Sequence, residues 1–177
     1  KIVTTGEGGM VLSADPEVVA RSRSYQNLCF RPERRFYHTE LGYNFRMTNL
    51  QAAIGCAQLE RIDEFVALKR RFGAMYRERL ATIPGVRFQD EKPWGRSVYW
   101  MYAVVVEPAF GLSRDALAAR LKAEGIETRT FFCGMNQQPF LARQPGHRDV
   151  PCPVADRLWE RGLYLPSSTR LSAADIE

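Results

Sequence analysis

The sequence has few of the patterns that would place it in a membrane, around a metal ion or in a disulfide-linked scaffold. It contains only two histidines, and none of its four cysteines forms a C-x-x-C pair. Neither a zinc site nor a disulfide framework is therefore predicted. No apolar run approaches the roughly 18 residues that cross a bilayer, and no charged segment followed by an apolar stretch marks a secretion signal. We expect free thiols, no bound metal, no membrane contact and a cytoplasmic location.

The charge balance favours no large anionic partner. The formal net charge is +5, but the basic residues are spread along predicted helices and mixed with acidic ones. A nucleic-acid surface usually concentrates its basic residues on one face, whereas a modest positive excess suits a small anionic ligand equally well. Nucleic acid is therefore a weak alternative, and we expect none as a partner.

The N-terminal part of the chain predicts a strand, a helix and a long loop. Residues 9–14 are short and apolar, as expected of a strand. Asp15-Pro16 predicts a helix through about Ser24, because proline suits the first helical turn. Residues 25–46 have no hydrophobic period and predict a loop. Long loops inside compact domains are frequently functional.

The strongest helical pattern follows this loop. From Thr48 onward, apolar residues recur at steps of three and four, until Ile83-Pro84-Gly85 stops the helix. A helix of about 34 residues exceeds the usual globular length. We therefore expect a bend or break near residues 61–63.

The remainder predicts a compact α+β domain. Strands are expected over residues 86–88, 98–106, 126–129 and 163–166, helices over residues 113–124 and 153–162, and a loop over residues 133–152. Near the end, Ser172 and Asp175 have the spacing of a helix cap. A cap with little helix after it, and a lysine at position 1, lead us to expect an excerpt of a longer protein.

Two segments carry residues suited to binding and catalysis. Lys1 precedes a Gly-Glu-Gly-Gly cluster; a lysine amine can form a Schiff base, and glycines allow a tight turn. A single lysine is nevertheless usually a surface residue. Asn44 and Arg46 stand just before a helix N-terminus, a combination that favours phosphate, although a polar capping turn explains the same spacing.

Three further segments have weaker signals. The Trp- and Tyr-rich residues 97–102 suit either a core strand or a wall for a flat ligand. Arg129 follows a predicted strand and is either a ligand contact or a surface arginine. Residues 161–168 predict a short buried strand that is ended by a proline.

Taken together, these segments resemble one family across almost the whole chain. KIVTTGEGG, LGYNFRMTNLQAAIGCAQLERID, SVYWMY, GIETRTFF and RGLYLPSS occur in the same order in the DegT/DnrJ/EryC1/StrS sugar aminotransferases. The first and third segments look most like those of the perosamine synthases. The resemblance implies the α/β fold of pyridoxal-phosphate-dependent transferases of fold type I, which is the aspartate aminotransferase fold.

The resemblance also implies a division into parts of two domains. Residues 1–60 would form the end of the large cofactor-binding domain with a dimer-interface loop. Residues 61–84 would form a connecting helix, and residues 85–177 a truncated small C-terminal α+β domain. The other groups that hold the cofactor would precede Lys1, so we expect the isolated 177-residue chain to be inactive.

Three residues take roles at the cofactor, pyridoxal 5'-phosphate, from this resemblance. Lys1 matches the catalytic lysine that holds the cofactor as a Schiff base and moves a proton during transamination. Relatives that perform a dehydration carry histidine there. Asn44 matches the asparagine that reaches the cofactor phosphate of the other subunit in a homodimer with shared active sites. Arg46 lies near the same site and is expected to bind cofactor or substrate.

Three more residues are candidates for contacting the substrate. His38 precedes the turn that carries Asn44, and Arg129 belongs to the fourth matching segment. Asn136 stands where family members often have a histidine. Because asparagine can hydrogen-bond but cannot titrate near neutral pH, a different sugar preference is expected at that position.

The sequence therefore predicts a nucleotide-sugar aminotransferase that depends on pyridoxal phosphate. It would move an amino group from glutamate to a keto-deoxy sugar that is linked to a nucleotide, for O-antigen or another polysaccharide. Two alternatives stay open. One is a dehydratase of the same fold, and the other is a regulator or binding module without catalytic activity.

Overall fold

The computed structural model describes residues 1–148 and 150–177, which divide into two compact units, residues 1–62 and 63–177. Asp149, inside the segment predicted as a loop, lies outside the described residues. The expected division into a large domain, a connecting helix and a small domain stays a prediction. Among the described residues, no helix is both long and apolar enough to cross a membrane.

The first unit is built on two helices, α1 (Pro16–Gln26) and α2 (Asn49–Leu59). Helix α1 begins as predicted, since Asp15 Oδ1 accepts a hydrogen bond from Glu17 N at 2.8 Å. The predicted strand over residues 9–14 is wrong, because this segment is neither helix nor strand. A strand is stabilised by a hydrogen-bonded neighbour, and no strand among the described residues pairs with it.

Helix α2 starts at a complete capping box. Gln51 N donates to Thr48 Oγ1 at 3.2 Å, and Thr48 N donates to Gln51 Oε1 at 3.0 Å, so two backbone N–H groups at the helix start are satisfied. Helix α3 (Ile62–Leu80) follows. The break expected near residues 61–63 lies at residues 60–61.

The predicted loop between α1 and α2 is closed by backbone hydrogen bonds. Leu28 N donates to Tyr43 O and Phe45 N donates to Gln26 O, both at 3.0 Å. Gly42 lies so close to the backbone of Leu28 that a Cβ atom would overlap it. This position therefore requires glycine, and the two ends of the loop are held together.

The second unit contains a four-stranded sheet in which every pair is antiparallel. Its strands are β1 (Val86–Phe88), β2 (Tyr102–Val106), β3 (Arg129–Thr130) and β4 (Gly162–Leu165), in the order β1-β2-β4-β3. The strand predicted over residues 98–106 begins only at Tyr102. Tyr99 has a φ of 44°, a left-handed conformation that interrupts an extended strand.

The other elements of the second unit follow the sequence signals in part, because the predicted loop over residues 133–152 contains a 3₁₀ turn and a short helix. Its helices are α4 (Arg114–Ala123), α5 (Pro139–Ala142) and α6 (Pro153–Arg161), with single 3₁₀ turns at Pro108–Phe110, Met135–Gln137 and Ala174–Ile176. The strand expected over residues 126–129 is displaced to β3. Ser172 and Asp175 do pair, since Ser172 N donates to Asp175 Oδ2 at 2.6 Å and Asp175 N donates to Ser172 Oγ at 3.3 Å, but only a 3₁₀ turn follows them.

The core of the second unit lies between α3 and one face of the sheet. Tyr102 and Val104 alternate inward along β2, Leu163 of β4 is 0% exposed, and Phe72 and Tyr76 of α3 pack against them. The rings of Tyr76 and Tyr102 stack with centroids 4.7 Å apart. The periodicity of the predicted helix thus buries one face, as an amphipathic pattern requires.

A buried lysine joins α3 to two chain segments at the edge of this core. Lys69 is 6% exposed, and its ammonium donates to the backbone carbonyl oxygens of Trp100, at 3.0 Å, and of Ser167. Burial lowers the pKa of Lys69, because desolvation disfavours the charged form. The two carbonyl oxygens compensate the ammonium for part of the water that it loses.

We expect Tyr102→Phe to leave the free energy of unfolding unchanged or to raise it by up to about 1 kcal/mol. The hydroxyl is buried and has no hydrogen-bond partner in the described part of the chain, so no bond is lost. Tyr76→Phe is the matched control. It removes a donor 2.9 Å from Pro166 O and should cost about 1 kcal/mol. Urea unfolding of both variants at pH 7 measures the difference, and a larger loss for Tyr102→Phe would contradict it.

Tyr102→Phe should also change how the free energy of unfolding depends on pH in the alkaline range. Burial raises the pKa of Tyr102 from 10.0 to about 12. Because the folded chain favours the neutral phenol, this contribution to stability is complete below the unfolded pKa and is lost as the pH rises toward the folded one. Tyr102→Phe should therefore lose less stability than the unmodified protein between those two pH values. Equal losses in urea unfolding series would contradict the assignment.

Candidate functional site

The segment that follows Lys1 is fixed to α2 by one side chain. Thr4 N donates to Gln58 Oε1 at 3.0 Å, and Gln58 Nε2 donates to Thr4 O at 2.5 Å. A carboxamide that pairs with both polar groups of one peptide residue imitates a strand neighbour. The pair joins positions that are 54 residues apart. It therefore restricts the path that the chain takes after Lys1.

The Gly-Glu-Gly-Gly cluster forms a turn against the same helix. Thr4 Oγ1 accepts from Gly6 N at 3.2 Å, and Thr5 Oγ1 donates to Glu7 O at 2.5 Å. Gly6 has a φ of 81°, which glycine adopts at little cost. A Cβ atom on Gly55 of α2 would lie 3.1 Å from Thr5 Cγ2, so the small residue allows the turn to pack closely.

The turn and the loop before α2 line a common cavity of about 430 Å³. Its walls include Gly8 and Gly9 from the turn, Phe45, Arg46 and Met47 from the loop, and Gln51 from the first turn of α2. A Cβ atom on Gly8 would lie 2.7 Å from Thr5 Oγ1 and 2.9 Å from Met47 Cε, so the turn lies close to the loop at this point. Two separate sequence signals thus form one site.

Arg46 and Asn44 have polar groups that the described chain leaves available. No hydrogen bond or ion pair to either side chain occurs within residues 1–148 and 150–177. Asn44 instead forms a backbone bridge with Asn27, which orients its Cα. A guanidinium, an amide and the N-terminus of an 11-residue helix are donors, and together they suit a phosphate group.

A second cavity of about 630 Å³ lies beside the closed loop. Tyr25, Tyr43 and Phe45 line it, and the rings of Tyr43 and Phe45 stack at 5.1 Å. The hydroxyl of Tyr25 accepts two hydrogen bonds from Arg21. This contact is the main reason that the pKa of Arg21 is raised.

Of the predicted substrate contacts, only His38 belongs to the first unit. Its Nδ1 lies 2.7 Å from Leu28 O, and because a carbonyl oxygen can only accept, Nδ1 is the donor in this contact. The ring also packs against Phe30, with centroids 5.2 Å apart. His38 is therefore oriented but still exposed.

Arg129 and Asn136 belong to the second unit. Arg129 is exposed, with its guanidinium carbon 6.0 Å from the ring centre of Phe132. Asn136 Nδ2 donates to Asp156 Oδ1 at 3.1 Å, so part of its hydrogen-bonding capacity serves the fold. The structure thus brings Arg46 to the glycine turn, whereas Asn44 and the exposed Lys1 are not in the lining of that cavity.

Sequence reasoning missed the residues that hold the site together. Gln58, Gly55 and Met47 anchor or contact the turn after Lys1, yet none has a reactive group. One signal was present, because Gln58 is a polar residue within an apolar stretch of α2. The sequence does not indicate that Thr4 is its partner, because the contact is made to the backbone of Thr4.

Comparisons with known proteins identify the family of this chain. The model of the DegT/DnrJ/EryC1/StrS aminotransferase family matches residues 1–177. A GDP-perosamine synthase from Caulobacter vibrioides is 39% identical over 100% of this chain and 47% of its own length. One from Vibrio cholerae is 34% identical over 94% of this chain and 45% of its own length. The chain thus spans about half the length of the curated relatives it matches.

Solved structures of similar proteins share the fold. The aminotransferase TlmJ from Streptoalloteichus hindustanus has a TM-score of 0.84 at 32% identity, over 99% of this chain and 46% of its own. DesI, determined in the presence of its TDP-sugar product, has a TM-score of 0.85 at 33% identity, over 99% of this chain and 44% of its own. The predicted α/β fold class, that of the sugar aminotransferases, is confirmed. This chain belongs to the DegT/DnrJ/EryC1/StrS aminotransferase family.

Proposed function

We propose that this chain provides part of the active site of an aminotransferase that depends on pyridoxal phosphate and acts on a nucleotide-linked keto-deoxysugar. The single observation that carries the proposal is the family match over residues 1–177. The GDP-perosamine synthases among the relatives favour a 4-keto-6-deoxy sugar as the acceptor. Glutamate is the proposed amino donor, and O-antigen or a related polysaccharide is the proposed destination of the product.

The residues of the first unit fit a cofactor that carries a phosphate. Arg46 and the N-terminus of α2 would bind the anion, and Asn44 would donate an amide hydrogen to a phosphate oxygen at the site of the partner subunit. Arg46 retains its donors, because no acidic side chain of the described residues pairs with it. When bound, pyridoxal phosphate supplies an electron sink that no side chain offers.

Lys1 is the proposed catalytic residue. Its primary amine can hold a carbonyl compound covalently, and when it is released it can accept and return a proton beside the reacting carbon. Both roles require Nζ to stay within hydrogen-bonding distance of that carbon's proton. The pairing of Thr4 with Gln58 supports this role, because it restricts the path of the chain after the lysine.

We further propose a homodimer in which Asn44 serves the site of the partner subunit. Large apolar side chains on this unit are exposed, including Phe45 at 73% and Leu50 at 80%. Contiguous exposed apolar surface is typical of an interaction site. His38, Arg129 and Asn136 are proposed to contact the sugar nucleotide, Asn136 through its carbonyl oxygen, because its amide nitrogen binds Asp156.

In the full-length protein, Lys1→Ala should lower the formation of 2-oxoglutarate from glutamate at least about 10³-fold. The alanine variant can neither hold the cofactor covalently nor move the proton. The assay supplies glutamate and a panel of 4-keto-6-deoxy nucleotide sugars. Lys92→Ala removes an exposed lysine of the second unit and should leave the rate unchanged.

Three results would contradict parts of the proposed function. Turnover by Lys1→Ala at the wild-type rate would exclude Lys1 as the catalytic residue. Loss of water from the sugar without glutamate turnover would indicate a dehydratase of the same fold. Failure of the full-length protein to bind pyridoxal phosphate would indicate a regulator or binding module.

Arg46→Gln should weaken pyridoxal-phosphate binding to the full-length apoprotein about 10- to 100-fold, because a hydrogen bond to a charged group contributes about 1.5–3 kcal/mol. Absorbance titration measures the dissociation constant. Arg23→Gln, which removes an equal charge from exposed α1, should bind like wild type. An unchanged dissociation constant for pyridoxal phosphate, together with a raised KM for the sugar, would indicate that Arg46 binds the substrate and not the cofactor.

A further inference from the structure

We propose that Gln58 is a positioning residue for Lys1, because its carboxamide fixes the backbone of Thr4 on α2. The inference rests on the proposed function of Lys1, since a positioning residue needs a reactive group to position. Gln58 itself is proposed to touch neither substrate nor cofactor. It acts only through the chain segment that carries the lysine.

The hydrogen bonds around Gln58 determine its orientation. Its Oε1 accepts from Thr4 N, and its Nε2 donates both to Thr4 O and to Ile54 O, the latter at 3.0 Å. A carboxamide offers two donors and one acceptor oxygen, so both of its N–H groups and its oxygen are engaged. Rotating the amide by half a turn would set like groups against each other.

The identity of this side chain matters at several points. Glutamate would retain an acceptor for Thr4 N but would set a second oxygen against Thr4 O. Asparagine is one methylene shorter, and methionine has a similar length but no N–H group. The two-sided pairing is thus specific to glutamine.

The anchor acts close to the lysine. Thr4 stands three positions after Lys1, which is a contour of roughly 10 Å. On the other side of Thr4, the turn is held independently by the contacts of Thr5 with Gly55 and of Gly8 with Met47. Loss of the Gln58 pair would therefore loosen mainly the side of the segment that carries Lys1.

The same helix also orders the other half of the site. Helix α2 begins at the Thr48 cap, directly after Arg46 and Met47. Through Gln58 near its C-terminal end, it fixes the segment after Lys1 as well. Loss of the Gln58 pair would thus allow the segment that carries Lys1 to shift relative to Arg46. A misplacement of about 1 Å can cost on the order of 100-fold in rate.

The first arm of the test measures the anchor without any cofactor. Gln58→Met keeps length and helix propensity and removes both hydrogen bonds to Thr4. In the full-length apoprotein, amide exchange of residues 2–6, followed by mass spectrometry, should accelerate about 5- to 10-fold. Gln89→Met, at an exposed glutamine, should exchange like wild type. Gln58→Glu provides a second variant if methionine prevents folding.

The second arm separates positioning from a merely structural contact. With cofactor present, Gln58→Met should lower kcat about 10- to 100-fold with KM values for glutamate and sugar within about threefold of wild type. The fraction of cofactor that borohydride reduction traps on Lys1 should also fall. Circular dichroism establishes that the variant is folded.

The outcomes distinguish the two proposals. Unchanged exchange overturns the anchor. Faster exchange with unchanged kcat and unchanged trapping overturns the positioning role and leaves a stabilising contact. If the wild type binds no cofactor, the proposed function fails and the positioning role fails with it, whereas the exchange arm still decides whether Gln58 holds Thr4.

Discussion

The first unit depends on the attachment of an extended segment to a helix. Residues 1–9 contain no helix or strand of their own, so their backbone groups need partners from elsewhere. Gln58 supplies two of these partners at Thr4, and Gly55 allows Thr5 to pack closely. The position of the glycine turn, the cavity that it shares with Arg46 and the path away from Lys1 all follow from this attachment.

A different constraint organises the second unit. Its sheet has strands of only two to five residues, which are short for independent stability. The amphipathic helix α3 covers one face, and Tyr76 both stacks on Tyr102 and donates to Pro166. Lys69 ties the same helix to the segment before β2 and to the residues after β4. Apolar packing and the buried ammonium of Lys69 thus hold together strands that pair over only a few residues.

Local signals were predicted well because their causes are local. The helix starts predicted at Asp15-Pro16 and at Thr48 depend on side chains within three residues, and the structure confirms both of them. The apolar residues 9–14 were wrongly predicted as a strand, since a strand also requires a neighbour that no local pattern reveals. The late start of β2 was also missed, because Tyr99 is left-handed, a conformation that residues other than glycine rarely adopt and that the sequence does not indicate.

The sequence by itself determined the family, the fold class and the types of residue that are available for chemistry. Those conclusions depend on ordered motifs and on short-range periodicity, which are properties of the chain alone. Only the tertiary structure decided that the glycine turn and the loop with Arg46 line one cavity, and that Asn136 is engaged with Asp156. It also decided that Gln58 holds Thr4, because that contact spans 54 positions and is made to a backbone, whose hydrogen bonds are not encoded in residue identity.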